Sequence, residues 1–230
     1  MKTTLLAAYP ALCERLDALC GGRSWCLTGV SALVYDEARY YFEITKPKHW
    51  RRLPDGRLEV GLGAIGGSIE EDEDVLGCLA REAEEEIGAR VAPEPARASL
   101  FVYEQRRVEA VAPPPADGYP LPALFTVSRN LYRQRALPEC EILAIVTFLA
   151  RLQAPPALGD LFGLLGVPHA LLGEVLAPGR TLGEVQGLAG VRIETQAPLA
   201  GDTLLAPVWT ARSLQIVAQR GLLADIRRDP

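Results

Sequence analysis

The chain has 230 residues, of which 49% are hydrophobic and 23% charged, with mean hydropathy +0.10 and a formal net charge of −5. This is the composition of a globular chain and excludes a disordered or fibrous one. No apolar run reaches the roughly 20 residues a membrane helix needs, and the negative balance argues against general nucleic-acid binding.

Lys2 precedes an apolar stretch at 5–13 that imitates a short signal sequence. Glu14, Arg15 and Asp17 follow at once, and Leu12, Leu16 and Leu19 before Gly21-Gly22 fit an amphipathic helix over about 9–20 with a glycine stop. Strands are expected at 25–35 and 39–45, joined by Asp36-Glu37-Ala38. A basic loop with Lys46, Lys48, Arg51 and Arg52 leads through the turn Pro54-Asp55-Gly56 to a strand at 58–65. A helix is expected over 74–87, stopped by Gly88, and a strand at 99–104.

Five prolines mark 112–122 as a loop, flanked by Arg106, Arg107, Arg129, Arg133 and Arg135, which could form part of a substrate lid. A buried strand follows at 142–152, then helical residues at 168–176, with His169 read as a surface or packing residue at the start. A strand at 191–195 and a helix at 210–220 with Thr210 as N-cap complete the chain. Strands and helices are mixed without strict alternation, which predicts an α/β fold with a mixed sheet. Five cysteines without a C-x-x-C pair point to reduced thiols, with Cys78 as a packing residue.

The acidity is concentrated. Residues 69–88 hold nine acids and one base, Arg81, so this stretch carries −8 and leaves +3 for the rest of the chain. On a helix over 74–87, Val75, Leu79 and Ala83 share one face, widened by Leu76, Ala80 and Ile87. Glu82, Glu85 and Glu86, at i, i+3 and i+4, bring their carboxylates together on the other side. Such a face is either solvated or a place for a hard divalent cation with oxygen ligands. The acids at 70–74 fall at the helix N-terminus, where the dipole favours them. That charge also disfavours a dinucleotide-binding reading of Gly61-x-Gly63-x-x-Gly66.

The spacing decides between the two readings of the helix. Gly67, Glu73, Arg81, Glu82, Glu85, Glu86 and Gly88 fill every fixed position of G-x5-E-x7-R-E-U-x-E-E-x-G-U, with alanine at both apolar U positions, Ala83 and Ala89. This 23-residue stretch resembles the Nudix box of the Nudix hydrolase family. The resemblance implies an α/β/α sandwich and hydrolysis of a nucleoside diphosphate linked to another moiety, of sugar-nucleotide, ADP-ribose or dinucleotide type. It implies Mg²⁺ or Mn²⁺ at Glu82, Glu85 and Glu86, with Arg81 and Glu73 orienting that cluster, and a structural loop and stop at Gly66, Gly67 and Gly88. A downstream acid often completes such a site, and here it is assigned to Asp160, with Glu104 and Glu141 as rivals. The segment 159–168 is similar to the family's acid–strand–W-V-P stretch, with Gly166 in place of the tryptophan.

Lys46, Arg51 and Arg52 are candidate phosphate contacts. Tyr40, Tyr41, Phe42 and Tyr103 are core or strand-surface residues, among which nothing selects a base-stacking ring. The expected organisation is a Nudix domain over 1–175 and an extension over 176–230 packed on it, cytoplasmic, with room for a homodimer. Two other readings stand beside it: a nucleotide-binding regulatory module without turnover, and an RNA 5′-end pyrophosphohydrolase.

Overall fold

A computed structural model describes residues 4–131 and 139–226; Lys2, Arg133 and Arg135 lie outside them. The helices are α1 (Thr4–Ala8), α2 (Pro10–Cys20), α3 (Val75–Ile87), α4 (Leu172–Val175), α5 (Leu182–Gln186), α6 (Trp209–Gln219) and α7 (Leu223–Ile226). The strands run from β1 (Trp25–Tyr35), β2 (Arg39–Ile44), β3 (Arg51–Arg52), β4 (Leu58–Gly63) and β5 (Ile65–Ser68) to β6 (Val91–Glu94), β7 (Ser99–Tyr103), β8 (Arg107–Val111) and β9 (Leu124–Arg129). They end with β10 (Ile142–Leu152), β11 (Gly163–Pro168), β12 (Arg192–Thr195) and β13 (Leu204–Pro207).

One mixed sheet runs β12-β11-β2-β1-β10-β9-β7-β8. β1 pairs parallel with β10, β7 with β9 and β4 with β13, and the other ladders are antiparallel. Alternation along the strands sorts side chains to two faces. Ala32, Val34, Val146, Phe148 and Ala150 join one core with Leu12 and Leu16 of α2 and Leu79 and Ala83 of α3. Leu33, Leu149, Leu100 and Val102 join the other with Leu172 of α4, Val185 of α5 and Leu214 of α6. Helices therefore cover both faces of the sheet, as the α/β expectation required.

The apolar stretch at 5–13 serves this core: Leu5, Leu6, Tyr9 and Leu12 are all buried. Residues 176–226 add β12 and β13 to the same sheet and α6 to its face. The strand expected at 58–65 divides at Ala64. Its first part pairs with β2 and its second with β1, so the chain changes neighbours at a glycine-rich bend.

Three expectations are corrected. Thr210 does not cap α6; the N-cap is Val208, and the Thr210 hydroxyl is buried within hydrogen-bond reach of Ser31 (2.9 Å) and Thr147 (3.3 Å). The proline-rich loop is tied to α2's N-cap, with the Tyr9 hydroxyl donating to the Tyr119 carbonyl at 2.8 Å, so it is not a free lid. Cys26 and Cys140 form a disulfide where β1 and β10 begin side by side, with Cα atoms 5.7 Å apart; Cys13, Cys20 and Cys78 are the buried thiols.

The Cys26–Cys140 bond closes a loop of 114 residues, so it restricts the unfolded chain strongly. Reducing it is expected to lower stability by about 2–4 kcal/mol. Chemical denaturation with and without a thiol reductant measures this; coincident midpoints would show that the bond adds nothing.

Candidate functional site

The helix α3 is fixed at both ends by local chemistry. The Asp74 carboxylate accepts from the N–H groups of Leu76 (2.9 Å) and Gly77 (2.7 Å), which caps the N-terminus. Gly88, at φ +58°, closes the C-terminus in the left-handed conformation. Its buried residues are Val75, Cys78, Leu79, Ala83, Glu86 and Ile87. Ala80 is exposed, contrary to the sequence pattern, and Glu86 lies on the inner side.

Arg81 organises the outer carboxylates. Its guanidinium donates to both oxygens of Glu73 (3.0 and 3.1 Å), to Glu82 (2.9 Å) and to Glu85 (3.2 Å). It also reaches the Ser68 carbonyl at 3.3 Å and so ties the helix to β5. The Arg81 bond holds the Glu73 carboxyl down at about 2. Glu86 is different: it is 9% exposed, and its Oε2 accepts from the Gly66 N–H at 2.8 Å. Burial pushes its carboxyl up to about 8, and the charges of Glu43, Glu82 and Asp160 add to the rise.

The glycines ahead of the helix are required by close approach. A Cβ on Gly67 would sit 2.2 Å from Glu82 Oε1, and one on Gly66, at φ +139°, 2.3 Å from the Val30 carbonyl oxygen. A Cβ on Gly63 would fall 2.9 Å from Glu43 Oε2. Glu43, on β2 opposite Gly63, is a cluster member that the sequence reading missed. Burial raises its carboxyl, Lys46 counteracts this, and Asp160 and Glu82 reinforce it. A glycine facing it across a ladder was the one available signal.

Asp160 reaches the cluster through backbone bonds. The N–H groups of Ala157, Gly159 and Asp160 donate to the carbonyls of Ile87, Glu86 and Glu85, satisfying the last turn of α3. Gly159 permits this, because a Cβ there would meet the Glu85 carbonyl oxygen at 2.1 Å. The Asp160 carboxylate then holds Lys46 Nζ at 2.7 Å. The rivals lie elsewhere: Glu104 accepts from the Arg129 N–H, and Glu141 from the Ser24 N–H at 3.1 Å. Arg51 pairs with Glu59 at 2.8 Å, and Arg52 reaches the Gly56 carbonyl at 3.3 Å. Of the three basic candidates, Lys46 is the one bonded to a cluster member.

The carboxylates of Glu82, Glu85 and Glu86 do not converge on one point as the helical spacing suggested. Arg81 draws the first two to itself, and Glu86 turns to Gly66. Among the described residues, the one trio of potential ligand atoms within 4.8 Å is Cys26, Glu139 and Cys140, whose sulfurs are bonded to each other. The acidic cluster offers an open array of hard oxygen donors. This suits a Mg²⁺-like cation that keeps waters and takes further oxygens from a phosphate, and does not suit a closed cage. Cys78 is buried, its thiol pushed up to about 12, as a packing residue would be.

No family model matches this chain, and no curated protein matches it in sequence. Among solved structures, it is similar to the ORF135 protein of E. coli, at 12% identity and TM-score 0.36 over 68% of this chain and 80% of that one. It is similar to an ADP-ribose pyrophosphatase from Streptococcus suis, at 12% identity and TM-score 0.34 over 85% and 92%. A Nudix-family hydrolase from Clostridium perfringens gives 14% identity and TM-score 0.33 over 60% and 74%.

The raised Glu86 and Glu43 carboxyls fix a pH dependence. A carboxyl whose folded value lies above its unfolded one stabilises the fold at low pH, and this is lost as pH rises through the folded value. With divalent metal removed, stability is expected to fall between about pH 5 and 8, by at most about 1.4 kcal/mol per pH unit for Glu86. Glu86→Gln should flatten that decline. Thermal melts across this range measure it; a wild-type profile rising to pH 8 would contradict the assignment.

Proposed function

We propose that this chain is a Mg²⁺- or Mn²⁺-dependent hydrolase of the Nudix type. It would cleave the pyrophosphate bond of a nucleoside diphosphate linked to another moiety. The observation that carries the reading is the agreement between motif and geometry. All seven fixed box residues are present, and Arg81 binds Glu73, Glu82 and Glu85 at once.

The physical need is specific. An anionic diphosphate would be repelled by these acids unless a cation bridged carboxylate and phosphate oxygens. When bound, that cation supplies an acidified water and neutralises charge developing on phosphorus and on the leaving phosphate. Glu82, Glu85 and Glu86 would hold it, with Asp160 and Glu43 as further oxygen donors. Arg81 neutralises part of the cluster's charge and fixes the Glu82 and Glu85 carboxylates in place. Lys46, paired with Asp160, would meet a phosphate oxygen. One of these carboxylates would accept the proton of the attacking water. The intact cluster also argues against a binding module without turnover, which has no physical need for it.

The test is a hydrolysis screen over nucleoside diphosphate sugars, ADP-ribose, NADH, dinucleoside polyphosphates, nucleoside triphosphates and capped RNA, with products identified by mass spectrometry. Turnover of one class, abolished by EDTA, is the expected result. Glu85→Gln should reduce it by about 100-fold or more. It should leave the melting temperature near wild type, because Glu85 is exposed and makes one 3.2 Å bond to Arg81. Wild-type turnover in that variant at saturating Mg²⁺ would refute the metal assignment.

A further inference from the structure

The start of β1 is tied to the start of β10 by more than a disulfide. The N–H groups of Glu141 and Ile142 both donate to the Ser24 carbonyl at 3.0 Å, and the Ser24 N–H donates to the Glu141 carboxylate at 3.1 Å. The Ser24 hydroxyl donates to the Glu139 carbonyl. From the other side, Asn130 Nδ2 donates to the Cys140 carbonyl at 3.0 Å, and the Asn130 N–H donates to the Glu141 carbonyl at 2.9 Å. These bonds place residues 139–142 without help from sulfur. Cys26 and Cys140, whose Cα atoms are 5.7 Å apart, therefore stay neighbours when the bond between them opens.

Glu139 completes the group. Its Oε1 lies 3.8 Å from Cys140 Sγ, and one carboxylate oxygen and both sulfurs lie within 4.8 Å of one another. Around tetrahedral Zn²⁺, with bonds of about 2.3 Å to sulfur and about 2.1 Å to oxygen, neighbouring ligand atoms stand about 3.6–3.8 Å apart. The Glu139 oxygen meets that spacing as it stands. The two sulfurs reach it, once parted, by rotation about their Cα–Cβ bonds. Cys140 is buried, Cys26 half-buried and Glu139 exposed, so the group opens to solvent on the Glu139 side.

Electrostatics separates a bare dithiol from a metal site. Glu139 and Glu141 flank Cys140 in the chain, and nearby carboxylates oppose ionisation of a thiol. Without a cation the reduced pair is held protonated. A divalent cation offsets the charge of two thiolates and reverses this balance. The sulfurs also decide which cation: soft thiolates select Zn²⁺, whereas the hard oxygens beside α3 suit Mg²⁺.

We propose that Cys26, Cys140 and Glu139 form a redox-gated Zn²⁺ site, shut while the disulfide stands and available after a dithiol reductant has cleaved it. The two thiols of the reductant are oxidised to a disulfide, and their electron pair and two protons pass to Cys26 and Cys140. Zn²⁺ then displaces both protons, so that the sulfurs bind as thiolates beside one Glu139 oxygen, with water in the fourth position. The site is independent of the hydrolase reading.

The experiment titrates the whole chain with Co²⁺, as a coloured probe for the same ligands, and with Zn²⁺ against a chromophoric chelator. Oxidised protein is compared with protein reduced by dithiothreitol and freed of it without air, and excess Mg²⁺ is present throughout to occupy the acidic oxygens. Reduced protein is expected to give a sulfur-to-cobalt charge-transfer band that Zn²⁺ abolishes, and oxidised protein to give none. Cys26→Ser should lose most of the band, and Cys13→Ala, which removes a buried thiol elsewhere, should keep it. Glu139→Gln, which retains the disulfide so that its folding is checked in the oxidised form, should weaken Zn²⁺ about tenfold or more once reduced. Zn²⁺ should raise the melting temperature of reduced protein and leave that of oxidised protein unchanged. No thiolate band in reduced protein, a full band in Cys26→Ser, or unchanged Zn²⁺ affinity in Glu139→Gln overturns the proposal. So does a reduced chain that unfolds and is not restored by Zn²⁺.

Discussion

Arg81 is the constraint on which the acidic region depends. Nine acids within twenty residues would not pack a helix against a sheet unless some of that charge were neutralised close by. A single guanidinium does this for Glu73, Glu82 and Glu85, and its last donor goes to the Ser68 carbonyl on β5. The planar fork matters, because three carboxylates and a carbonyl are reached from one centre, which an ammonium could not do. The same contact joins α3 to the glycine strand, so charge balance and helix position are one problem. The glycines solve the remaining half of it. Gly66 lets its N–H meet Glu86, and Gly67 and Gly63 yield the volumes that the Glu82 and Glu43 carboxyls occupy.

What the sequence revealed of this site was local. The α3 boundaries, the Asp74 start, the Gly88 stop and the Arg81 partners all lie within about twenty residues of one another, where spacing translates directly into geometry. Strands β1 and β10 were legible at the residue level for the same reason: long β-rich runs bounded by turn residues. Glu43 was hidden because its membership depends on β2 meeting β4, a pairing that no single-segment pattern encodes. β8, β9 and β13 escaped for a related reason: they are short, or their alternation is faint beside loop residues. Arg51 and Arg52 show what sequence proximity leaves open. Their proximity in sequence to the box suggested phosphate contacts, and the β3–β4 hairpin, which that proximity did not reveal, sets them beside Glu59 and Gly56.

The C-terminal residues were the least legible and are not peripheral. β12 extends the sheet beside β11, β13 runs parallel to β4, and the buried hydroxyls of Thr210 and Ser213 bond to Ser31 and Thr126 from the α6 side. These buried hydroxyl pairs are satisfied by each other, which makes the seating of α6 specific and not merely apolar. Thr210 looked like a helix cap because threonine before a helix usually is one. Tertiary burial took its hydroxyl for a different bond.

The parallel pairing of β1 with β10 has a consequence for how the molecule comes to exist. Trp25 lies beside Ile142, and Tyr35 beside Arg151. The middle strand of the sheet therefore waits for more than a hundred residues of chain before its neighbour exists. On a ribosome emitting about 5–20 residues each second, that is a delay of several seconds or more. Throughout it, the apolar run of β1 has the β2 hairpin and the β5 ladder as its partners, and one long edge stays open. Loop closure on this scale also makes folding slow compared with a helical chain of equal size. A nascent chain shorter than about 150 residues therefore presents the β1 edge that β10 covers in the finished protein.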